Sequence, residues 1–419
     1  MSDLPPDESS QDAPPPSQWA AFRHRPYLFY WFARAAAVFA AQIQIVGIGW
    51  QVYDLTRNPL DLGLIGLSQF LPALLLVLVT GAVADRFPRR AIMLVCLLIE
   101  AVVAGSLLAF TAMGGSAVVV IFALLATFGT ARAFFGPAVQ SLLPNIVPPK
   151  MLANAIALNS SAWQLATILG PVAGGLLYGV SPLAAYGTAT SLLVIAAILA
   201  TQIPKPDQKN EVEKPSLQTV LAGFRYIWSE KIVLGAISLD LFAVLLGGAT
   251  ALLPIYARDI LDVGPVGLGL LRAGPGIGAI AVALYLTTHS IKDHAGILLF
   301  FFVGVFGAMT IVFGASTLPW VSIVALIFLG GADMVSVYIR ETLIQLWTPD
   351  RLRGRVNAVN MVFVGASNEL GEFRAGVMAA LIGAKATVVA GGIGAVVMAG
   401  LFAKLFPELR KARHLDGRP

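Results

Sequence analysis

Long apolar segments recur along this 419-residue chain, and each is about as long as the hydrocarbon core of a membrane is thick. A helix needs about 20 mostly apolar residues to cross that core. A chain with many such segments must fold as a polytopic α-helical membrane protein, because lipid offers backbone groups no other partner. We predict twelve spans at residues 28–52, 61–84, 91–112, 117–140, 155–178, 182–203, 232–256, 264–288, 295–315, 319–346, 356–382 and 384–406.

Charged residues are too scarce for a soluble protein, since they make up 12% of the chain against about 25% in soluble domains. This scarcity excludes a soluble enzyme and leaves no basic patch for nucleic acid. The single cysteine, Cys96, and four scattered histidines provide neither a disulfide framework nor a metal site. The chain also lacks a G-x-x-x-x-G-K-[ST] phosphate loop, so we expect no cofactor and no ATP hydrolysis.

A long polar stretch at residues 204–231 interrupts the series of spans after the sixth. Its second part alternates apolar and polar residues at helical spacing, which is typical of a helix on the membrane surface. We therefore predict five regions. They are a disordered cytoplasmic tail at 1–26, a six-helix bundle at 27–203, a cytoplasmic central loop at 204–231, a second six-helix bundle at 232–406 and a basic cytoplasmic tail at 407–419.

Lysine and arginine residues in the predicted loops and at the ends of the spans are distributed unequally between the two sides of the membrane. If the N-terminus is cytoplasmic, twenty of them lie on the cytoplasmic side, and only Arg57, Arg258 and Lys385 lie outside. Such an excess marks the cytoplasmic loops of membrane proteins. We therefore predict that both termini are cytoplasmic.

The two halves of the chain resemble each other at a shift of 201 residues. The matched residues in the first half are Pro148, Ala157, Asn159, Gly170 and Gly175, and their counterparts are Pro349, Ala358, Asn360, Gly371 and Gly376. Two parallel six-helix halves imply a pseudo-twofold axis along the membrane normal, with a site between the halves near the midplane.

Residues 81–90 read GAVADRFPRR and resemble the signature loop of the major facilitator superfamily, G-x-x-x-D-[RK]-x-G-[RK]-[RK]. Pro88 stands where the family has glycine, so the turn must differ, since proline cannot adopt a positive φ. Ordinary positive-inside loop charge is the alternative explanation. The resemblance implies a conformational latch made by Gly81, Asp85, Arg86, Arg89 and Arg90.

Two further motifs resemble the superfamily. In the fourth span, residues 132–136 read RAFFG and match its R-x-x-x-G pattern, which implies that Arg132 takes part in proton coupling. A structural arginine bonded to backbone carbonyls is the alternative. In the fifth span, Gly170, Pro171, Gly174 and Gly175 match the G-P-x-x-G-G motif of its antiporters, which implies a flexible contact near the gate. Plain packing of small residues is the alternative there.

The resemblance to the superfamily covers nearly the whole chain. Residues 240–259 and 368–376 also look like the bacterial branch that includes the enterobactin exporter and macrolide efflux proteins. This resemblance implies the major facilitator fold, an all-α integral membrane protein with two pseudo-symmetric bundles. It also implies a bacterial cytoplasmic (inner) membrane, a small-molecule substrate, the proton gradient as energy source and a functional monomer.

Eleven charged residues fall within the predicted spans and away from the span ends, where charge is expensive and is a functional candidate by default. In the family fold, most of these positions lie on spans that line the cavity; Glu100, on the third span, is the exception. The eleven are Arg34, Glu100, Arg132, Asp240, Arg272, Asp333, Arg340, Glu341, Glu369, Glu372 and Arg374.

Glu369 and Glu372 are the favoured proton carriers among these residues. Their i,i+3 spacing puts them on one helix face near the middle of a span. Two adjacent carboxylates in a low dielectric resist ionising together, so one of them can take up and release a proton. The alternative is that both bond neighbouring helices and hold the halves together. Arg374 lies on another face of the same helix, so we expect it to have a different partner.

The remaining candidates divide by role. Asp240 and Asp333 are second choices for proton coupling, with Arg34 and Arg272 as ion-pair partners for them or contacts for an anionic substrate. We also expect Arg340 and Glu341 to form an inner gate with Asp350, Arg351 or Arg353, unless they extend to the interface. Substrate-cavity candidates are Arg34, Gln42, Gln44, Arg272, Trp163 and Tyr256.

Three functions are compatible with the sequence. The favoured one is secondary active export of a drug-like compound or siderophore by alternating access and proton antiport. The second is import or uncoupled transport of an organic anion or siderophore. The third is a non-transporting membrane scaffold or receptor.

Overall fold

The computed structural model of the protein is built from helices that follow the predicted spans closely. It describes residues 20–205, 217–289, 291 and 293–412. The α-helices are α1 (Arg25–Thr56), α2 (Pro59–Arg86), α3 (Arg89–Ala112), α4 (Val118–Ile146), α5 (Leu152–Val180), α6 (Pro182–Thr201), α7 (Leu217–Ser229), α8 (Lys231–Gly247), α9 (Leu253–Ile255), α10 (Gly264–Thr288), α11 (Ala295–Ala315), α12 (Pro319–Trp347), α13 (Asp350–Ile382), α14 (Ala384–Leu405) and α15 (Pro407–Lys411).

Eleven membrane-spanning candidates among the described residues are long and apolar enough to cross a bilayer, one of them made of α8 and the turns that continue it to Ile260. The remaining long helix, α13, has 33 residues and reaches about 50 Å, so its length is sufficient. It lacks the apolar character of the others because Glu369, Glu372 and Arg374 interrupt its second half. Charges at this depth need partners inside the protein.

The predicted span at residues 232–256 is not one continuous helix, which corrects the sequence-based assignment. α8 ends at Gly247, and a 3-10 turn (Thr250–Leu252), α9 and a π-helical turn (Tyr256–Ile260) continue the span. At the break, a Cβ on Gly248 would lie 3.1 Å from the carbonyl carbon of Gly371 in α13. The close approach of α13 therefore coincides with the point where α8 stops.

The helices pack as two bundles, each with its own apolar core. One core contains buried residues between Ala21 and Ile203, and another contains buried residues between Ile227 and Leu409. A third cluster joins the bundles, because Val46 and Leu62 of the first bundle pack there with residues of the second. The main helix pairs across the boundary are α2 with α13 and α5 with α10.

The closest approaches between the bundles lie on one side of the molecule. We call the side on which α1 begins the N-side, and the opposite side the far side. Near the far side, a Cβ on Gly376 of α13 would lie 2.8 Å from the Cα of Gly63 in α2, and one on Gly175 of α5 would lie 3.1 Å from the Cα of Gly269 in α10. Towards the N-side, a cavity of about 600 Å³ runs along α12 and α13. The molecule is thus closed at the far side.

The chain is ordered beyond the limits predicted for its tails. Ala21 lies in a 3-10 turn, is buried and donates its backbone N–H to the Asn154 side chain at 3.2 Å, so order begins before residue 27. At the other end, Leu409 of α15 is buried, and Gly296 donates to the Ala412 carbonyl at 3.1 Å. The rest of the predicted tails, residues 1–19 and 413–419, lies outside the described residues.

The predicted surface helix of the central loop corresponds to α7. It packs against α13, where a Cβ on Gly223 would lie 2.7 Å from the Arg355 carbonyl oxygen. The Trp228 side chain on the same helix is 74% exposed, as suits a residue at a membrane surface. Residues 206–216 of this loop lie outside the described residues.

Candidate functional site

Glu369 and Glu372 of α13 line a cavity between the two bundles. Their i,i+3 spacing brings both carboxylates to the same side of the helix. The cavity has a volume of about 110 Å³, and Gln69 of α2 and Arg272 of α10 complete its polar lining. Both bundles therefore contribute to one small polar site that lies beneath the far-side contact.

Gly66 of α2 makes room for the two carboxylates. A Cβ at this position would lie 2.6 Å from Oε2 of Glu369 and 3.2 Å from Oε2 of Glu372. Any larger residue would displace the Glu369 side chain. The backbone of α2 at Gly66 is therefore in direct contact with the acidic pair. Separation of the two bundles must change the surroundings of both carboxylates.

The acidic pair has a hydroxyl and a guanidinium as neighbours. The Thr250 hydroxyl donates to Oε1 of Glu372 at 2.9 Å, and the break in α8 brings Thr250 to this position. Arg272 lines the same cavity and interacts electrostatically with both carboxylates. Two acids facing one cation leave one negative charge in excess when both are ionised. A proton on either carboxylate removes that excess.

Arg374 has the different partner that its place on the helix predicts. Its Nη2 donates to the Leu246 carbonyl at 2.5 Å, in the last turn of α8. The carbonyls at the end of a helix have no partner within that helix. Arg374 therefore stabilises the end of α8 and does not join the acidic pair.

Above this cavity, charged residues of the two bundles form a gate, which we call the far-side gate. Asp54 at the end of α1 forms an ion pair with Arg258, and Arg57 forms one with Asp259 at 3.3 Å. Asp259 also accepts a hydrogen bond from the Tyr53 hydroxyl. Three residues of the first bundle thus bind two of the second across the bundle boundary.

We expect Arg258→Asp to open the far-side gate, because it places a carboxylate beside Asp54 and Asp259. Partly exposed ion pairs contribute about 0.2–1 kcal/mol each, so the opening should rise roughly five-fold. The measurement is the rate at which a membrane-impermeant thiol reagent labels a cysteine placed at Ala251 in a Cys96→Ser background. Ala251 lines the acidic cavity and is 7% exposed.

The matched control for this experiment is the exchanged pair. Asp54→Arg combined with Arg258→Asp restores opposite charges, and labelling should return towards the parental rate. Equal labelling of the single and exchanged variants would contradict a role for this ion pair in closure.

The glycine-rich motif of α5 supports close helix contacts on two sides. Gly174 packs on α1, where a Cβ would lie 3.0 Å from the Cα of Ile43, and Gly175 packs on α10 of the other bundle. On α10, a Cβ at Gly269 would lie 2.5 Å from the Pro171 carbonyl oxygen. The motif therefore forms part of the boundary between the bundles, and small-residue packing accounts for its composition.

Arg340 has a partner that the sequence did not suggest. It forms a buried ion pair with Asp240 of α8 and a longer one with Glu341 at 3.8 Å. With 3% of its surface exposed, Arg340 does not extend to the interface. Glu341 also accepts a hydrogen bond from the Asn360 amide at 2.8 Å. The side chains of Asp350 and Arg351 lie outside the described part of the chain.

The sequence suggested Arg34 or Arg272 as ion-pair partners of Asp240, but Asp240 pairs with Arg340 instead. It shares a small recess of the second bundle with Asp333. Both acids lie among α8, α11 and α12, on the interior of that bundle and away from Glu369 and Glu372. The four acidic candidates for proton coupling thus form two separate pairs.

In the first bundle, Arg132 pairs with Glu100 at 3.3 Å and donates to the Ala37 carbonyl at 3.2 Å. Glu100 is completely buried. The arginine also lies over the ring of Phe128, 5.1 Å from its centroid. Sequence reasoning had set Glu100 aside as peripheral, yet it is the residue that neutralises Arg132.

Two of the expected cavity residues are buried in this state and do not line the cavity between the bundles. Gln44 is 3% exposed, and Tyr256 is fully buried and donates to the Gly314 carbonyl at 2.8 Å. Gln42 of α1 packs closely against Gly170 of α5, where an added Cβ would lie 2.5 Å from the Cβ of Gln42. Arg34 and Trp163 line a shared recess between α1 and α5.

The arginines of the loop after α2 bind helix ends within the first bundle. Arg89 donates to the Ser141 carbonyl at 2.9 Å, and Arg90 donates to the Ala200 carbonyl at 3.2 Å and the Thr201 carbonyl at 2.5 Å. Arginines at the C-terminal ends of α4 and α6 interact favourably with the helix dipoles. Arg86 is exposed, Gly81 has open space around it, and the side chain of Asp85 is outside the described residues.

Sequence reasoning missed several residues that shape the site. Thr250 and Gly66 carry no charge, and their positions depend on the helix break and on how α2 docks. The far-side gate had a detectable pattern, because Asp54 with Arg57 and Arg258 with Asp259 end the first span of each half. Comparing those span ends under the internal repeat would have revealed it.

Comparison with known proteins agrees with this architecture. A family model described as a transmembrane secretion effector of the major facilitator superfamily matches residues 16–419. The multidrug efflux pump Tap of Mycolicibacterium fortuitum is 26% identical over 405 residues, covering 92% of this chain and 97% of Tap. The enterobactin exporter EntS of Escherichia coli is 27% identical over 293 residues, covering 66% of each chain.

Solved structures share the fold at lower identity. A bacterial homologue of the human lysosomal transporter Spinster, in an inward-facing conformation, superposes with a TM-score of 0.72 at 14% identity, covering 93% of this chain and 99% of that one. A bacterial homologue of the iron transporter ferroportin, also inward-facing, has a TM-score of 0.68 at 15% identity, with the same coverage. The predicted fold class is confirmed, and the chain is a transporter that belongs to the transmembrane secretion effector family of the major facilitator superfamily.

Proposed function

We propose that this transporter exports a small organic molecule across a bacterial cytoplasmic membrane by alternating access, driven by proton antiport. One observation carries the proposal. Glu369 and Glu372 face Arg272 in a cavity enclosed by both bundles, directly below the closed far side. A group that binds protons at such a place can link protonation to the movement of the bundles.

The proposed direction rests on the orientation of the chain and on its relatives. The excess of basic residues supports a cytoplasmic N-side. In that orientation, the structure is closed to the outside and has its larger cavity towards the cytoplasm, where an exporter takes up its substrate. Tap and EntS, whose names describe an efflux pump and an exporter, support the same direction.

The coupling follows from how the acidic pair is placed. When the far side opens, Gly66 withdraws from the carboxylates and water reaches them from outside. A proton taken up there removes the excess negative charge, so that the pair can be enclosed again beside Arg272. Any ligand shifts such an equilibrium only by its different affinity for the two states, and the pair has different surroundings in each.

The test is transport by purified protein in proteoliposomes with an imposed pH gradient and the membrane potential clamped. Candidate substrates are compounds that cells lacking the gene retain, identified by untargeted mass spectrometry. We expect substrate to move opposite to the proton flow and each addition of substrate to release protons. Equal rates with and without the gradient would indicate uncoupled transport, and movement with the protons would indicate import.

A further inference from the structure

Four of the five arginines within the spans have partners in the protein. Arg132 and Arg340 form ion pairs, Arg374 donates to a carbonyl, and Arg272 lines a cavity together with two carboxylates. Arg34 of α1 differs from these four, because its neighbours are neutral: within the described part of the chain it makes no ion pair, and it lies beside Tyr27 and hydrogen-bonds the Tyr30 side chain. A charge at this depth is costly unless a partner neutralises it.

The surroundings of Arg34 form a recess with the features of a binding site. Trp31 of α1 and Asn159 and Trp163 of α5 line it together with Arg34. Asn159 is 5% exposed and lies beside the Tyr30 hydroxyl, and neither atom of its side-chain amide has a partner at full hydrogen-bond geometry within the described residues. The recess thus offers a cation and an unsatisfied amide at the same place.

The size of the recess defines which part of a ligand it accepts. Its volume of about 10 Å³ is close to the space of one water-sized group, so it has room for one oxygen of an acidic group rather than for a whole molecule. At its edge, the Trp163 side chain is 47% exposed and presents an indole face. Trp163 lies seven residues before Gly170, on the face of α5 that packs against α1. A flat ring can stack there while its acidic group reaches Arg34.

We propose that this recess is the head-group site for substrates that are aromatic carboxylates. Arg34 pairs with the carboxylate oxygen that enters the recess, the Asn159 amide donates to it, and the substrate ring packs on Trp163. This inference rests on the proposed export function, for which it supplies the substrate class. In this proposal the substrate anion binds within the first bundle, and the proton binds in the cavity between the two bundles.

The test is binding to the purified full-length protein in phosphate-free detergent buffer, by isothermal titration calorimetry. Probes are benzoate and 2-naphthoate, with 2-naphthylmethylamine as the cation of similar shape. We expect both carboxylates to bind, with 2-naphthoate the tighter, and the amine neither to bind nor to compete. Failure of both carboxylates to bind, or tighter binding of the amine, would overturn the site.

Substitutions of the residues that line the recess test whether the carboxylates bind there. Arg34→Gln should weaken 2-naphthoate at least ten-fold, because it removes a charged hydrogen-bond donor, and Arg34→Lys should recover part of the loss. Trp163→Leu should weaken 2-naphthoate more than benzoate. Lys385→Gln, an exposed cation on the far side, is the matched control and should bind as the wild type does. Unchanged binding in Arg34→Gln would place the carboxylates elsewhere and contradict the proposal.

Two results separate this inference from the proposed function. Glu369→Gln combined with Glu372→Gln should keep 2-naphthoate binding, since the recess does not include these residues. Carboxylate binding without pH-driven transport would refute proton antiport and leave the anion site standing. Proton exchange for a neutral or cationic compound, with no carboxylate bound, would refute the anion site alone.

Discussion

We expect that replacing both Glu369 and Glu372 by glutamine abolishes pH-driven transport. The two carboxylates share one cavity with Arg272, and the first bundle packs its backbone against them at Gly66. Glutamine keeps the size of glutamate and one acceptor oxygen, but it replaces the other oxygen by a donor and cannot bind or release a proton. Transport against the substrate gradient should fall to the level of protein-free liposomes, while substrate bound at equilibrium on the purified protein stays measurable.

The single variants should differ, because the two carboxylates have different partners. Glutamine at position 372 can still accept the hydrogen bond from Thr250, which glutamate receives at 2.9 Å. We therefore expect Glu369→Gln to lose more coupling than Glu372→Gln. Glu408→Gln is the matched control, since this exposed glutamate pairs with Lys231 at 3.5 Å outside the cavity. Full pH-driven transport by the double variant, with normal insertion and unfolding, would refute the assignment.

The spans were predictable because their length and composition are fixed by the membrane itself. Apolar runs of about 20 residues have one stable arrangement in lipid, so residues 295–315 and 264–288 match α11 and α10 to the residue. The break after Gly247 was not predictable in the same way. Gly247, Gly248 and Pro254 weaken a helix, but glycine and proline are also frequent in continuous membrane helices, so the place where α8 stops depends on its contact with Gly371 of α13.

The acidic pair could be predicted from the sequence because charge is costly within an apolar span and is therefore rare there. A charged residue within an apolar span stands out, and the i,i+3 spacing assigns Glu369 and Glu372 to one face. Which partner each charge takes is a tertiary property. Arg340 has charged neighbours close in sequence, yet it pairs with Asp240, which is 100 positions away. Sequence reasoning favoured the near neighbours and for this reason did not identify Asp240 as a partner.

The second large effect that we expect is a loss of stability when either residue of the buried ion pair between Asp240 and Arg340 is replaced. These residues are 7% and 3% exposed, and they join α8 to α12 inside the second bundle. Removing one partner of a buried ion pair leaves the other charge without compensation, which costs about 3–5 kcal/mol. We expect Asp240→Asn and Arg340→Met each to lower the free energy of unfolding by this amount, measured by denaturant unfolding in detergent.

The double replacement distinguishes a structural ion pair from a proton-carrying one. Asp240→Leu with Arg340→Met removes both charges together, so the unfolding free energy should return to within about 1 kcal/mol of the wild type or exceed it. If the pair only holds α8 against α12, pH-driven transport should recover along with stability. Recovery of stability without transport would instead assign coupling to Asp240 as well as to the boundary cavity. A double variant as unstable as the single ones would contradict the idea that the uncompensated charge of Asp240 or Arg340 causes their loss, since neither of these two charges remains.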